Sequence, residues 1–367
     1  MIQMVSLGDI CDIKIGRTPP RKQPQWFSES HGIKWVSIKD MGNTGKYISQ
    51  TSEFLTADAI KKFNIPIIPA GTLLMSFKLT VGRLGFTEYD MCSNEAIAQL
   101  PIKDPDIVDN NYLYYYLKNF NFGSLSSTSS IATAVNSKTV KNISINLPPL
   151  YQQKKIANIL GSLDEKIELN RRMSETLEQL GQALFRHYFI NNPDAKNWKK
   201  RSLGEFFPVK TGKKDANFGT KDGKFPFFTC AQTISRAPSY SFDGSAILVA
   251  GNGDFNIKYY MGKFEAYQRT YVLIPHNEEL LGFLYFLMKK DLSLITGGSR
   301  GSVIKFITKG MIENYRVELP NDNDLAAFAP IFSELLDLIS HSNEQIQTLA
   351  VLRDTLLPKL ISGEIEI

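Results

Sequence analysis

The sequence predicts an α+β protein in which two repeated globular α/β domains are joined by two long antiparallel coiled-coil helices, with a pseudo-twofold relation between the halves. Two observations carry this reading. The first is an internal repeat at an offset of 172 residues: Ile156 answers Phe328, Leu160 answers Phe332, Leu163 answers Leu335 and Ile167 answers Ile339, followed by Leu177 with Leu349, Leu180 with Leu352, Leu184 with Leu356 and Tyr188 with Leu360. The second is the spacing inside each leucine-rich segment. Apolar positions fall at 156, 160, 163 and 167 and then at 173, 177, 180 and 184, the fours and threes of a coiled-coil seam. A helix from Tyr151 to Tyr188 would extend about 57 Å at 1.5 Å per residue. One small domain cannot cover that length, so the two helices are expected to cover each other, with a globule towards each end. Asn170 falls on the seam and is answered by Ser342; a polar residue there is expected to set register at some cost in stability.

The elements follow in order. Residues 1–148 form the first globule, 149–192 the first helix, 193–320 the second globule and 321–367 the second helix. In the first globule the alternating run Leu7 to Gly16, the run Ile33 to Ile38 and the run Gly71 to Ser76 have strand character. Asn111-Tyr112-Leu113-Tyr114-Tyr115-Tyr116-Leu117 predicts a helix whose aromatic face packs in a core. The second globule repeats this plan at lower similarity. Ser202-Leu203-Gly204-Glu205 answers Ser6-Leu7-Gly8-Asp9, residues 245–250 answer the run beginning at Thr72, and Leu284-Tyr285-Phe286-Leu287 answers residues 114–117. Each globule closes on a short strand, Asn142 to Pro148 and Asn314 to Pro320. Pro358 lacks an amide donor and is expected to kink or stop the last helix.

Composition is that of an ordinary soluble globular protein, 43% hydrophobic and 22% charged. Cys11, Cys92 and Cys230 are far apart and form no CxxC or Cys/His cluster, which suits a reducing compartment and gives no zinc site. Neither a signal peptide nor a long apolar run is evident, so the expected location is the cytoplasm, without a membrane partner. The net charge of +5 is unevenly distributed: +3 over residues 1–148, +1 over 149–197, +7 over 198–320 and −6 over 321–367. Basic globules suit a polyanion, and an acidic helix does not.

Catalytic patterns are missing from the sequence. Leu147-Pro148-Pro149-Leu150 lacks the polar residue before and the aromatic after that would hold a flipped adenine in an amino-methyltransferase loop. Gly251-Asn252-Gly253 has no phosphate-binding context, and the pairs Asp12/Lys14 and Asp222/Lys224 lack the upstream acid of a nuclease motif. His31, His187, His276 and His341 are scattered one per segment. The expectation is a binding protein rather than an enzyme. A scaffold whose repeated globules bind protein is the alternative.

These residues resemble the specificity (S) subunit of type I restriction–modification systems, over essentially the whole chain. The strongest match is Leu147-Pro148-Pro149-Leu150-Tyr151-Gln152-Gln153-Lys154-Lys155-Ile156-Ala157-Asn158-Ile159-Leu160, continuing into Leu163-Asp164-Glu165-Lys166-Ile167, which is similar to the central conserved region of that family. Residues 349–365 resemble its distal counterpart, and Gly16-Arg17-Thr18-Pro19 with Trp35-Val36-Ser37-Ile38-Lys39-Asp40 resembles the opening of a target-recognition domain. The second copy departs at Leu319-Pro320-Asn321-Asp322 and has no glutamine answering Gln153. The resemblance implies two target-recognition domains, each reading half of a bipartite site in double-stranded DNA, with the helices setting the gap. It implies two modification (methyltransferase) subunits docked on the helices and restriction subunits joining them. S-adenosylmethionine and ATP/Mg would be bound by those partners, leaving this chain without cofactor or metal.

On that reading, contacts to DNA come from basic and amide side chains on loops recurring in both copies. After the first strand these are Arg17, Arg21 and Lys22, answered by Lys213, Lys214 and Lys221. After the strand at Leu73 they are Lys78 and Arg83, answered by Asn252, Asn256 and Lys258. Before the terminal strand they are Ser129, Ser130 and Lys138, answered by Ser299, Arg300 and Lys305.

Overall fold

The computed structural model describes residues 3–42, 45–125, 136–299 and 305–367. The chain forms two compact units, Met1–Glu168 with Ile346–Ile367, and Leu169–Gln345. Each long helix is divided between them instead of standing as a domain of its own.

In the first unit, β1 (Gln3–Ser6) pairs antiparallel with β11 (Ser144–Leu147), Gln3 opposite Leu147, which brings the start of the chain beside the start of the long helix. A five-stranded sheet has the order β2 (Lys14–Ile15), β10 (Ile97–Gln99), β7 (Leu73–Ser76), β8 (Leu84–Thr87) and β5 (Tyr47–Ile48). A four-stranded sheet has the order β3 (Phe27–Ser28), β6 (Glu53–Leu55), β4 (Ile33–Val36) and β9 (Cys92–Ser93). The expected strand at residues 7–16 is shorter than its alternation suggests. Leu7–Ile10 is a helical turn, because Ser6 and Asp9 form a capping box in which each side chain satisfies the other's backbone amide. Helix α1 (Asn110–Asn119) is capped by Asp109 and sends Tyr112, Leu113, Tyr115 and Leu117 into the core.

Helix α2 (Leu150–Phe185) begins here. Its Ile156, Ala157 and Leu160 enter the same core, together with Leu357 and Leu360 of the last helix. Gln153 is fully buried, and every polar atom of its amide is used. Its Nε2 donates to Ile107 O (2.9 Å) and Pro148 O (2.7 Å), and its Oε1 accepts from the Asp109 amide (2.9 Å). It ties the helix start to the loop that caps α1. Further along, Asp164 accepts from the Tyr115 hydroxyl and from Arg353 of the last helix, both at 2.7 Å. Burial and this carboxylate push the Tyr115 phenol well above its ordinary value.

The second unit repeats the plan with one six-stranded sheet in place of the five- and four-stranded sheets. β12 (Lys199–Ser202) pairs with β19 (Arg316–Leu319), as β1 does with β11. A six-stranded sheet follows the order β13 (Val209–Thr211), β18 (Thr270–Leu273), β16 (Phe242–Ala250), β17 (Ile257–Ala266), β14 (Phe225–Phe228) and β15 (Ser235–Ala237). Helix α3 (Leu281–Thr296) supplies Phe283 and Phe286 to an aromatic core with Phe185 and Phe189 from the end of the first long helix and Phe332 from the second. Where Gln153 stood in the first copy, Leu325 is buried in this core, so the missing glutamine is replaced by apolar packing.

Within each unit the long helices run antiparallel. In the first, Asp164 meets Arg353. In the second, Asn170 Nδ2 donates to Gln345 Oε1 (3.0 Å), Ser174 Oγ bonds Asn343 Oδ1 (3.4 Å), and Phe185 packs on Phe332. The seam keeps Asn170, Leu177 and Leu184 as expected and corrects the sequence reading at 173 and 180. It runs through Asn170, Ser174, Leu177 and Gly181, while Met173 and Leu180 are exposed. The step from 167 to 173 breaks the alternation of fours and threes, and the register that preserves it places polar Asn170 and Ser174 inside. Helix α4 (Asp322–Ser362) also passes through Pro358 without stopping, since Leu357 and Leu360 on either side are held in the first unit's core. Among the described residues, no helix is long and apolar enough to cross a membrane.

Gln153→Ala should leave the Asp109 amide and two carbonyls unsatisfied in the core. The expected loss is about 2–3 kcal/mol of unfolding free energy, read from denaturant titration, with secondary structure unchanged at zero denaturant.

Candidate nucleic-acid interface

Each unit carries a loop at the same point of its main sheet. In the first it joins β7 to β8, in the second β16 to β17. The backbone pairing matches the two at their ends, although the first loop has one residue more. Ser76 N bonds Arg83 O at 2.9 Å and Phe77 N bonds Ala96 O at 2.9 Å; Ala250 N bonds Asn256 O at 2.9 Å and Gly251 N bonds Arg269 O at 2.8 Å. Counted forward from Phe77 and Gly251, Lys78 answers Asn252 and Leu79 answers Gly253. Both Leu79 and Gly253 adopt left-handed backbone conformations, with φ of +62° and +71°. Glycine does this freely, whereas leucine gives up about 1–2 kcal/mol. Leu79 recovers nothing by packing, because it is 95% exposed.

The first loop is held firmly at its base. Ser76 Oγ donates to Thr80 O and accepts from Arg83 N, Gly82 N donates to Ser76 O, and the Phe122 ring lies against Gly82. Lys78 is exposed beside Leu79.

In the second unit the corresponding loop borders a hollow of about 400 Å³ lined by Cys230, Ala231, Gln232, Asn252, Gly253 and Asp254. Gly253 N donates to Lys305 O (3.0 Å) and Ile307 N to Gly251 O (3.0 Å), so the segment after residue 304 braces the loop. Asn256 is buried and donates to Cys230 O (2.8 Å) and Asp254 O (2.9 Å), fixing the hollow's wall. Lys258 donates to Ala231 O (2.8 Å) and to Asn256, and burial lowers its pKa.

The sequence-derived candidates divide accordingly. Lys78, Asn252, Asn256, Lys258 and Lys305 gather at the two loops, although Asn256 and Lys258 brace the backbone instead of projecting. Arg83 also turns inward, its guanidinium donating to Ile38 O (2.6 Å). Arg17 donates to Phe63 O (3.0 Å) and Asn64 O (2.9 Å). Arg21 pairs with Glu53 (2.7 Å) and stacks on Phe27 and Trp35. These three arginines hold elements of the first unit together. Lys22 and Lys221 are exposed in turns and Lys138 in the short helix Ser137–Lys141, while Lys213 and Lys214 follow Gly212 beside Ala266 and Tyr267. Gly212 and its counterpart Gly16 are required by close approach, since a Cβ would fall 2.2 Å from Ala266 O in one copy and 2.1 Å from Ser93 O in the other. Ser299 is half-buried, its amide bonded to Thr296 O (2.9 Å). Ser129, Ser130 and Arg300 lie outside the described residues.

Residues missed from the sequence are Leu79, Cys230, Gln232 and Asp254. Among the described residues, no group of three His, Cys, Asp or Glu side chains could hold a metal ion.

Comparison with known proteins agrees with this construction. Residues 2–179 and 195–350 match the type I restriction modification DNA specificity domain. The chain is 43% identical over 173 residues to the type I restriction enzyme EcoDI specificity subunit of Escherichia coli, a stretch covering 46% of this chain and 39% of that protein. It is 24% identical over 412 residues to the MjaIX specificity subunit of Methanocaldococcus jannaschii, covering 98% of this chain and 93% of the other. Among solved structures, the S subunit of the type I restriction–modification system from M. genitalium has the same fold, with a TM-score of 0.63 at 18% identity over 98% of this chain and 96% of that one. With one copy of the specificity domain on each half of its length, the chain belongs to the type I restriction modification DNA specificity domain family.

Proposed function

We propose that the chain is the non-catalytic, sequence-reading subunit of a type I restriction–modification assembly. Each unit reads one half of a bipartite site in double-stranded DNA, and the long helices set the gap. The observation that carries this is the loop built twice on one backbone plan with different side chains, Lys78-Leu79 in one copy and Asn252-Gly253-Asp254 in the other. A repeated frame with unlike tips suits a protein that must place two different readers equivalently. The named relatives are specificity subunits, and both globular segments carry excess positive charge.

Two methyltransferase subunits are the partners of the helices, and restriction subunits join through them. S-adenosylmethionine, ATP and Mg belong to those partners. The exposed apolar residues of the helices support docking. Leu180 on α2 is 45% exposed and Leu352 on α4 is 44% exposed, and the two are equivalent in the repeat. Leu169 and Met173 extend the first of these faces. Two equivalent faces suit two identical partners.

Co-expression with a cognate methyltransferase should give a complex that methylates adenine in a split sequence, mapped by long-read sequencing. A complex that modifies no such sequence would refute the function. Inserting seven residues after Glu168 and seven after Gln345 preserves the seam and adds about 10 Å at 1.5 Å per residue. The preferred gap should then grow by about three base pairs at 3.4 Å each, both half-sites being kept. Leu180→Glu and Leu352→Glu should each reduce the complex from two methyltransferases to one by native mass spectrometry, and the double variant should bind none.

A further inference from the structure

The exposed Leu79 is at odds with the stability of its own chain. Among the described residues it is the most exposed of the large apolar side chains that reach solvent. Its left-handed backbone is one that leucine avoids and that the second copy assigns to Gly253. Among the described residues nothing compensates either feature: the side chain reaches solvent, and the loop's bracing comes from Ser76, Gly82 and Phe122. Strain held by a firm loop, with the strained side chain projecting freely, points to a contact made outside the chain.

We propose that Leu79 is a specificity-determining residue of the first unit, making an apolar contact to a base within its half-site. The inference rests on the DNA-reading function proposed above and names the chemistry of one contact in it. A phosphate offers no apolar surface and a deoxyribose carries no sequence information, so beside Lys78, which supplies the charge for a phosphate, the apolar partner through which leucine can discriminate is a base. That surface is either a thymine 5-methyl group on the groove edge or the face of a base pair opened by a wedge. The second copy does this differently. Its equivalent position is a glycine at the rim of a hollow whose lining includes Asn252, Asp254 and Gln232, side chains that can offer hydrogen bonds to base edges. One unit thus presents a knob and the other a recess at the same place in the fold.

The test uses the full chain assembled with its methyltransferase subunits. Leu79→Gly removes the side chain and suits the left-handed backbone, so thermal stability should stay the same or rise. Leu79→Met keeps an apolar side chain. For Leu79→Gly, affinity for the cognate site should fall about tenfold while affinity for random duplex changes less than twofold. Methylation mapping should show relaxed discrimination at one or two adjacent base pairs of a single half-site, with Leu79→Met retaining most of the wild-type preference. Uracil in place of thymine reproducing the loss identifies the methyl contact. A 2-aminopurine signal that rises on wild-type binding and not with Leu79→Gly identifies the wedge. A cognate-to-random ratio within twofold of wild type overturns the proposal, as does weakened methyltransferase assembly with unchanged sequence preference, which would make Leu79 a protein contact. A wild-type complex that shows no preference between cognate and random DNA overturns the DNA-reading function itself, a result separate from any behaviour of the variants.

Discussion

Each globule depends on shielding that it cannot provide for itself. In the first unit, Tyr115, Leu113 and Met75 form a core that also takes in Ile156 and Leu160 from one long helix and Leu357 and Leu360 from the other. In the second, Phe283 and Phe286 pack with Phe185, Phe189 and Phe332 from both helices. The helices are therefore part of each globule's interior, and a globule stripped of them would expose a broad apolar face. Burial of this kind makes the docking of helix and globule one cooperative event.

Polar contacts refine that arrangement. Asp164 joins three elements, receiving the Tyr115 hydroxyl from α1 and Arg353 from α4 while itself belonging to α2. Glu178 has a related place in the second unit, bonded by Tyr285 (3.1 Å) and by Lys289 of α3. Breaking a half-buried pair of this sort leaves a charge without its partner, at a cost larger than the pair's net contribution. Asn170 and Gln345 select one register from the several that leucines alone would allow. Apolar burial thus supplies most of the stability, and the few polar atoms inside decide the alignment.

The loops obey a different economy. Their backbones are fixed by pairing to neighbouring strands, so the side chains at the tip are free to differ without disturbing the frame. Arg17, Arg21 and Arg83 show the opposite case. Each is a cation whose guanidinium is already engaged with carbonyls, Glu53 or aromatic rings of the same unit. A count of basic residues overstates the charge available to a polyanion wherever arginine serves as an internal brace.

The amino-acid sequence alone determined the repeat, the two long helices, the aromatic helix of each globule and the short strands that close them. These follow from periodicity and local propensity, which are properties of neighbouring residues. It also held the capping boxes at Ser6/Asp9 and Ser202/Glu205, which outweigh the strand-like alternation that follows Leu7. Only the tertiary structure decided the phase of the seam past Ile167, because the choice between Met173 and Ser174 depends on what the opposite helix presents. It alone decided that Gln153 is a core staple with an apolar substitute in the other copy, and that Pro358 sits within a continuous helix. The direction of each arginine and the left-handed turn at Leu79 likewise belong to the fold. They arise where segments distant in sequence meet, and no spacing along the chain encodes which carbonyl or ring will be waiting there.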